Sequence, residues 1–313
     1  MAPAVSVIVP AYRTADYIAA ALESVLAQSF RDFEIVVVND GCPESDRLER
    51  ALEPYRSRIR YIRKENGGPG SARNAGILAA EAPLVAMLDS DDIWDPEYLS
   101  VHTEMFRQDP SIDAVYPNAV FFGDTSEAGR TFMEMYPSTG AVTFLSLIAR
   151  RTMVSAFVTA RRETLIRAGL YDTQFSVGED LALWLRIAKM GGRIVYHTRP
   201  LVRYRRRAGS LTVDNLKSLE QVGLVLEKIG ATLELNAEER RALDRELESI
   251  RAGAALERGR IALRARDWTT ARRNLEEANR HFRAPKTALL IVALRFAPWL
   301  VGPAVRRRYG RTP

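Results

Sequence analysis

Three carboxylates in four positions mark the stretch Leu88-Asp89-Ser90-Asp91-Asp92-Ile93-Trp94, which closes the apolar run at residues 84–88. Such a cluster repels itself unless a cation sits among its members. On an isolated strand, alternation sends Asp89 and Asp91 to one side and Asp92 to the other, so the first two could converge on one hard cation through oxygen ligands. A divalent metal carrying a phosphorylated substrate suits that pair. The alternative is an acidic turn in which Asp92 or Asp95 caps the helix that Pro96 opens.

Two further stretches carry groups of the same kind. Residues 65–76, Glu-Asn-Gly-Gly-Pro-Gly-Ser-Ala-Arg-Asn-Ala-Gly, let backbone approach a ligand closely and offer an anion the positive end of the following helix. The loop lacks the Gly-Lys-Ser/Thr of a Walker sequence, and Arg73 stands where a dinucleotide fingerprint has its third glycine. It could equally be a tight turn into an Ala-rich helix reaching Ala80. Glu179 and Asp180 fall in the first turn of a helix after Gly178, as a proton acceptor or as complements to the helix dipole.

The elements that must position these groups alternate. Residues 5–10 are a β-branched run stopped by Pro10, followed by a helix over 14–28 capped by Thr14 or Asp16. A strand at 33–38 ends in Asn39-Asp40-Gly41, a helix spans 46–55, and a third strand covers 59–63. The helix after the glycine loop leads to the acidic stretch as fourth strand. Four strand–helix alternations predict a mainly parallel, doubly wound α/β sheet with helices on both faces. Ligands of such sheets sit beyond the carboxyl ends of the strands, where Asn39, Asp40, Arg73, Asp89 and Asp91 would share one crevice.

Beyond a helix at 96–108 the order becomes mixed. Strands are expected at 114–122, 154–159, 194–197 and 201–205, with a short helix at 143–149 and a longer one from Glu179 to Gly191-Gly192. Past Val213 long charged helices take over, at 215–229, 237–256 and 258–282. The last resembles a tetratricopeptide-type hairpin, present as one unit where a solenoid needs three. We expect domains at 1–212 and 213–313. The apolar run 287–301, broken by Arg295 and Pro298, is short for a membrane span. Within 286–308 it either lies in a lipid interface or packs against the C-terminal helices.

The chain has 313 residues, 47% of them apolar, enough for one large domain and a smaller one. Its formal charge of +6 and pI near 9.5 favour anionic partners: ligand phosphates, a membrane surface or nucleic acid. Nucleic acid ranks last, for no zinc-finger spacing and no basic run interleaved with aromatics occurs. Cys42, the lone cysteine, excludes an intrachain disulfide, and no secretory pattern opens the chain, so the cytoplasm is the expected compartment.

Six segments in order resemble the inverting family 2 glycosyltransferases of GT-A fold: VSVIVPAY at 5–12, VVNDG at 37–41, ENGGPGSARNAG at 65–76, LDSDDIW at 88–94, GED at 178–180 and YRRRAGSLT at 204–212. The resemblance covers the first 212 residues and implies a nucleotide-sugar donor, with UDP favoured by family habit. It implies that Asp40 contacts the base, that Arg73 holds the nucleotide and that Asp89 faces ribose and sugar. Asp91 would ligate Mg²⁺ or Mn²⁺ on the diphosphate. Pro10, Tyr12, Ser90, Arg205 and Arg207 complete the implied donor site, with Asn66 and Trp184 in support. Asp180 takes the position of the catalytic base, with Glu179 beside it.

The chain departs from that pattern twice. Cys42 stands where serine often follows Asn-Asp-Gly, and Arg207 where a histidine often lies near the metal. Arginine cannot ligate a metal and acts on phosphate as a fixed charge. His102, His197 and His281 are read as structural. Without several spans or a QxxRW motif, single transfer to a glycan or lipid-linked acceptor in surface polysaccharide synthesis is expected rather than processive synthesis. That expectation includes peripheral association with the inner face of the membrane. A non-catalytic nucleotide-sugar binding or scaffold protein is the competing class. A nucleotidyltransferase would need a Gly-rich basic loop after the first strand, where Pro10-Ala11-Tyr12-Arg13-Thr14 stands instead.

Overall fold

The computed structural model describes residues 2–207 and 215–298, which fall into two compact units, Met1–Leu211 and Thr212–Pro313. The first is built on an eight-stranded mixed sheet. In chain order its elements are β1 (Val5–Ala11), α1 (Ile18–Leu26), β2 (Phe33–Asp40), α2 (Ser45–Leu52), β3 (Arg60–Lys64), α3 (Gly68–Ala79), β4 (Leu84–Met87), β5 (Ile93–Trp94), α4 (Tyr98–Gln108) and β6 (Ile112–Gly123). There follow α5 (Phe132–Met135), α6 (Phe144–Ile148), β7 (Thr159–Arg161), α7 (Arg162–Arg167), α8 (Glu179–Lys189) and β8 (Arg193–Arg206).

The strands lie in the order β3-β2-β1-β4-β7-β6-β8-β5. β3, β2, β1 and β4 run parallel, as the repeated strand–helix alternation predicts, and β6 runs parallel to β8. Antiparallel β7 joins the two groups, and β5 pairs antiparallel with β8 at the edge.

Both faces of the sheet are covered. Val5, Val7 and Val9 pack with Ile18, Leu22 and Val25 of α1 and Leu48 and Leu52 of α2. Ile8 points the other way, onto α3, so closely that a Cβ on Gly76 would come within 2.3 Å of its Cγ2. Strands apolar on both sides are what a sheet buried between helices requires.

Several boundaries differ from those the sequence predicts, each for a local reason. α1 starts at Ile18, because the Thr14 hydroxyl bonds Ser90 at 2.8 Å and Asp16 pairs with Arg47, leaving neither to cap. Residues 154–158 are not strand; only Thr159–Arg161 pairs, between β4 and β6. The two closing strands expected at 194–197 and 201–205 form one, β8. Irregular register opposite Asn118 carries it past Pro200 without a break in the ladder. His102 is buried, its Nδ1 2.7 Å from Thr159 Oγ1 and its Nε2 3.2 Å from His197 Nε2.

The second unit is helical: α9 (Asn215–Thr232), α10 (Ala237–Arg264), α11 (Trp268–Phe282) and α12 (Pro285–Phe296). α10 continues through residues 256–258, where a break was expected. Gly259 admits Leu275 of α11, whose Cγ would lie 2.9 Å from a Cβ there. Ala262, Leu263, Ala271, Leu275 and Leu294 form a small apolar cluster in this unit, and Val225, Leu226 and Ile229 of α9 and Leu243 and Ile250 of α10 are buried as well. No helix among the described residues is long and apolar enough to cross a membrane.

Candidate active site

The candidate residues gather at the carboxyl ends of β1, β2 and β4. β2 ends at Asp40, and Gly41 turns the chain at φ +61°, with Asn66 backbone so near that no Cβ would fit. The buried Asp40 carboxylate accepts from Lys64 Nζ at 2.7 Å, from the Gly68 N–H at 2.8 Å and from the Gly67 N–H at 3.1 Å. Asn66 Nδ2 donates to the Asp40 carbonyl at 2.8 Å and to its carboxylate at 3.3 Å. Asp40 therefore ties the end of β2 to the first turn of α3 and sits where that helix favours negative charge. The Cys42 thiol accepts from the Arg13 N–H at 3.2 Å, while the Cys42 N–H donates to Asn39 Oδ1 at 2.9 Å.

Arg73, on α3, bridges two parts of the chain far apart in sequence. Its Nη1 donates to Glu179 Oε1 at 2.7 Å and its Nη2 to Asp89 Oδ1 at 2.8 Å, with the side chain 6% exposed. The guanidinium carbon lies 5.5 Å from the centre of the Tyr171 ring. Burial works against this cation, but Asp89 and Glu179 outweigh it and hold Arg73 well above its ordinary pKa.

The acidic stretch is a turn rather than a continuing strand. β4 stops at Met87, and the Asp92 N–H donates to the Asp89 carbonyl at 2.9 Å. Alternation therefore does not place Asp89 and Asp91 side by side on one metal: the backbone is no longer extended, and each carboxylate has its own arginine. Asp91 Oδ2 accepts from Arg207 Nε at 2.7 Å. Of the two expected caps, Asp95 serves at the entry to α4, its Oδ1 accepting from the Glu97 N–H at 3.0 Å, whereas Asp92 Oδ1 accepts from the Arg205 N–H at 2.8 Å. Arg205 Nε donates to the Asp91 carbonyl at 2.8 Å, and its guanidinium lies over Tyr17 and Phe122, at 4.7 and 4.2 Å. β5, paired with β8, brings the acidic turn and the arginines together.

Glu179 and Asp180 open α8 behind Gly178, which holds φ +83°. Burial pushes Glu179 up to about 7, with Asp180 adding to the rise and Arg73 opposing it. Burial also raises Asp180, against the pull of Arg73 and the N–H of Leu181, which donates to Oδ1 at 2.7 Å. Asp91 and Asp92 are raised as well, first by burial and then by nearby carboxylates, Asp89 acting on Asp91 and both Asp91 and Asp89 on Asp92. The site is rich in carboxylates that its own arginines only partly neutralise.

Of the other candidates, Pro10 lies in β1 opposite Val38, and Tyr12 beyond it is 40% exposed. Trp184 is buried on the inner side of α8 as packing. Residues 208–212 of the arginine-rich segment lie outside the described residues. Lys64, Tyr171, Tyr17 and Phe122 join the site without having been singled out in the sequence. Only the close of β3 beside β2 hinted at Lys64.

No group of three or more His, Cys, Asp or Glu side chains converges as a metal cage among the described residues. A lone carboxylate such as Asp91 still suits a hard cation, since Mg²⁺ is commonly held by one or two carboxylates plus substrate phosphates.

A family model described as "Glycosyl transferase family 2" matches residues 6–171, more than half of the chain. The chain belongs to this family. The match contains Asp40, Arg73, Asp89 and Asp91, while Glu179 and Asp180 follow it. As a family 2 glycosyltransferase it is 40% identical over 110 residues to the succinoglycan biosynthesis protein ExoW of Rhizobium meliloti, covering 33% of this chain and 34% of that one. The chain spans from 14% to 34% of the length of the first curated relatives it matches.

Two solved structures share the fold over almost the whole chain. S. aureus TarS 1-349 in complex with UDP-GlcNAc has a TM-score of 0.63 at 19% identity, covering 99% of this chain and 92% of that one. The mannosyltransferase PcManGT of Pyrobaculum calidifontis, in complex with GDP-Man and Mn²⁺, has the same TM-score and identity, with coverage of 100% and 89%. The GT-A architecture expected from the sequence is therefore the observed one.

Proposed function

We propose that this enzyme moves one sugar, with inversion, from a nucleoside-diphosphate sugar to a hydroxyl of a glycan or lipid-linked acceptor in surface polysaccharide synthesis. The observation that carries the reading is Arg73, which holds Asp89 of the donor loop and Glu179 of α8 on one guanidinium. That pairing supports the reading, in which a donor-side and an acceptor-side carboxylate share one site as an in-line displacement requires.

In this reading Asp180 takes the proton of the acceptor hydroxyl while that oxygen bonds to the anomeric carbon and the bond to the diphosphate breaks. Arg205 and Arg207 face the leaving phosphates as fixed charges. Asp40, with Lys64 and Asn66, shapes the pocket for the base, and Asp89 faces ribose and sugar. Pro10, Tyr12 and Ser90 line the donor's path. Mg²⁺ or Mn²⁺, held by Asp91 with the diphosphate, would supply positive charge to the leaving group. TarS with UDP-GlcNAc and PcManGT with GDP-Man and Mn²⁺ support a nucleotide-sugar donor, and ExoW supports polysaccharide synthesis. UDP is the first choice of carrier. With one cysteine and no need of a disulfide, the chain suits the cytoplasm.

A thermal-shift panel of UDP, GDP, CDP and ADP, each with and without Mn²⁺, tests the donor. A ligand at about a hundred times its Kd stabilises the folded state by about 2.7 kcal/mol. Stabilisation by UDP, increased by Mn²⁺, is expected. No shift with any nucleotide would contradict the reading and favour a scaffold protein.

A further inference from the structure

α12 is apolar on two faces. Leu290, Ile291 and Leu294 pack toward the core that α10 and α11 form. On the outer side Leu289, Val292 and Phe296 stand 73%, 52% and 68% exposed. Their spacing, three and four residues apart, sets them in one stripe. A helix apolar all round is ordinarily covered on every side.

Charge indicates what covers it. Lys286 and Arg295 lie three residues from Leu289 and Val292, so the stripe is edged by cations, and the Arg295 guanidinium lies 5.4 Å from the Phe296 ring centre. From residue 278 to 313 the chain has eight Lys and Arg residues and no Asp or Glu. At 12 residues α12 is about 18 Å long, too short to cross a hydrocarbon core of about 30 Å. An apolar stripe with basic edges matches the boundary between anionic headgroups and acyl chains, into which Lys and Arg stems reach while their charges stay in water.

We propose that the outer face of α12 seats the protein on an anionic lipid surface, with Leu289, Val292 and Phe296 in the acyl boundary and Lys286 and Arg295 on the headgroups. The occupant is a bilayer rather than a second copy of the chain, because two such faces brought together would set their basic edges against each other. The inference stands on this unit alone and does not depend on the donor or the reaction.

Co-sedimentation of the full chain with vesicles of phosphatidylcholine, or of phosphatidylcholine mixed with phosphatidylglycerol, tests it. Binding to the mixed vesicles only, weakened by added salt, is expected. Lys286→Gln and Arg295→Gln should each weaken it by about fivefold. Leu289→Ser with Phe296→Ser should weaken it at least about tenfold, with circular dichroism and nucleotide-induced stabilisation unchanged. Equal partition onto neutral vesicles, or no binding, overturns the proposal without recourse to any variant. Undiminished binding of the double variant would assign the attraction to basic residues elsewhere and overturn it as well. So would self-association in the absence of lipid that the double variant abolishes.

Discussion

Asp180→Asn is expected to lower kcat by about 10²–10⁴ while leaving the stabilisation by UDP and Mn²⁺ unchanged. The substitution keeps the shape of the side chain and an oxygen to accept the Leu181 N–H, so the first turn of α8 is preserved. What it removes is the ability to take a proton. Burial holds the Asp180 carboxyl above the ordinary carboxylate range, so the acid limb of wild-type activity should lie above the pH at which a free aspartate ionises. Activity should rise with pH through that limb, because the base must first lose its own proton. The residual rate of the variant should lack the limb. Nucleoside diphosphate release followed across pH measures both, and full activity in Asp180→Asn would remove the assigned base.

Arg73→Met should be the most destabilising single change in the site, costing about 3–5 kcal/mol, because it leaves two carboxylates of a buried network without their cation. Glu179 is already pushed up to about 7 with Arg73 beside it, chiefly by burial. Without Arg73 it rises further. A carboxyl whose folded pKa exceeds its unfolded value contributes stability below the unfolded pKa and loses it as pH climbs through the folded one. The deficit of Arg73→Met should therefore be larger at pH 8 than at pH 5, and Glu179→Gln in the same chain should recover part of it. Arg207→Met removes the partner of Asp91 from a more open position and should cost far less, no more than about 1 kcal/mol. Urea denaturation of the three variants at the two pH values decides. Equal stability of Arg73→Met and wild type would show that Arg73 does not join the two halves of the site.

The parallel half of the sheet was legible because β1, β2 and β4 are apolar on both faces and the helices between them carry a single apolar stripe, patterns that survive in one dimension. The boundaries failed where a side chain had a better partner than the cap position offered it, as Thr14 has in Ser90. Pairing Asp89 with Asp91 by alternation failed because parity holds only while the backbone stays extended, and here it turns after Met87. The links that assemble the site were out of reach for another reason. Arg73 and Glu179 are 106 residues apart, Arg207 and Asp91 116, and no local pattern encodes which distant charges meet. Tyr171 carries no sequence signal at all: it reaches Arg73 because the Asn74 side chain binds both its N–H and its carbonyl, each at 2.8 Å.

A single in-line displacement in this site is tested most directly by the configuration of the product. Wild-type enzyme turning over an α-linked UDP-sugar, with water as acceptor where no other is supplied, should release the β-anomer first, as read by the anomeric proton's coupling in time-resolved NMR. Initial release of the α-anomer would require two displacements or a different geometry, and would contradict the assignment of Asp180 as a base acting on the acceptor.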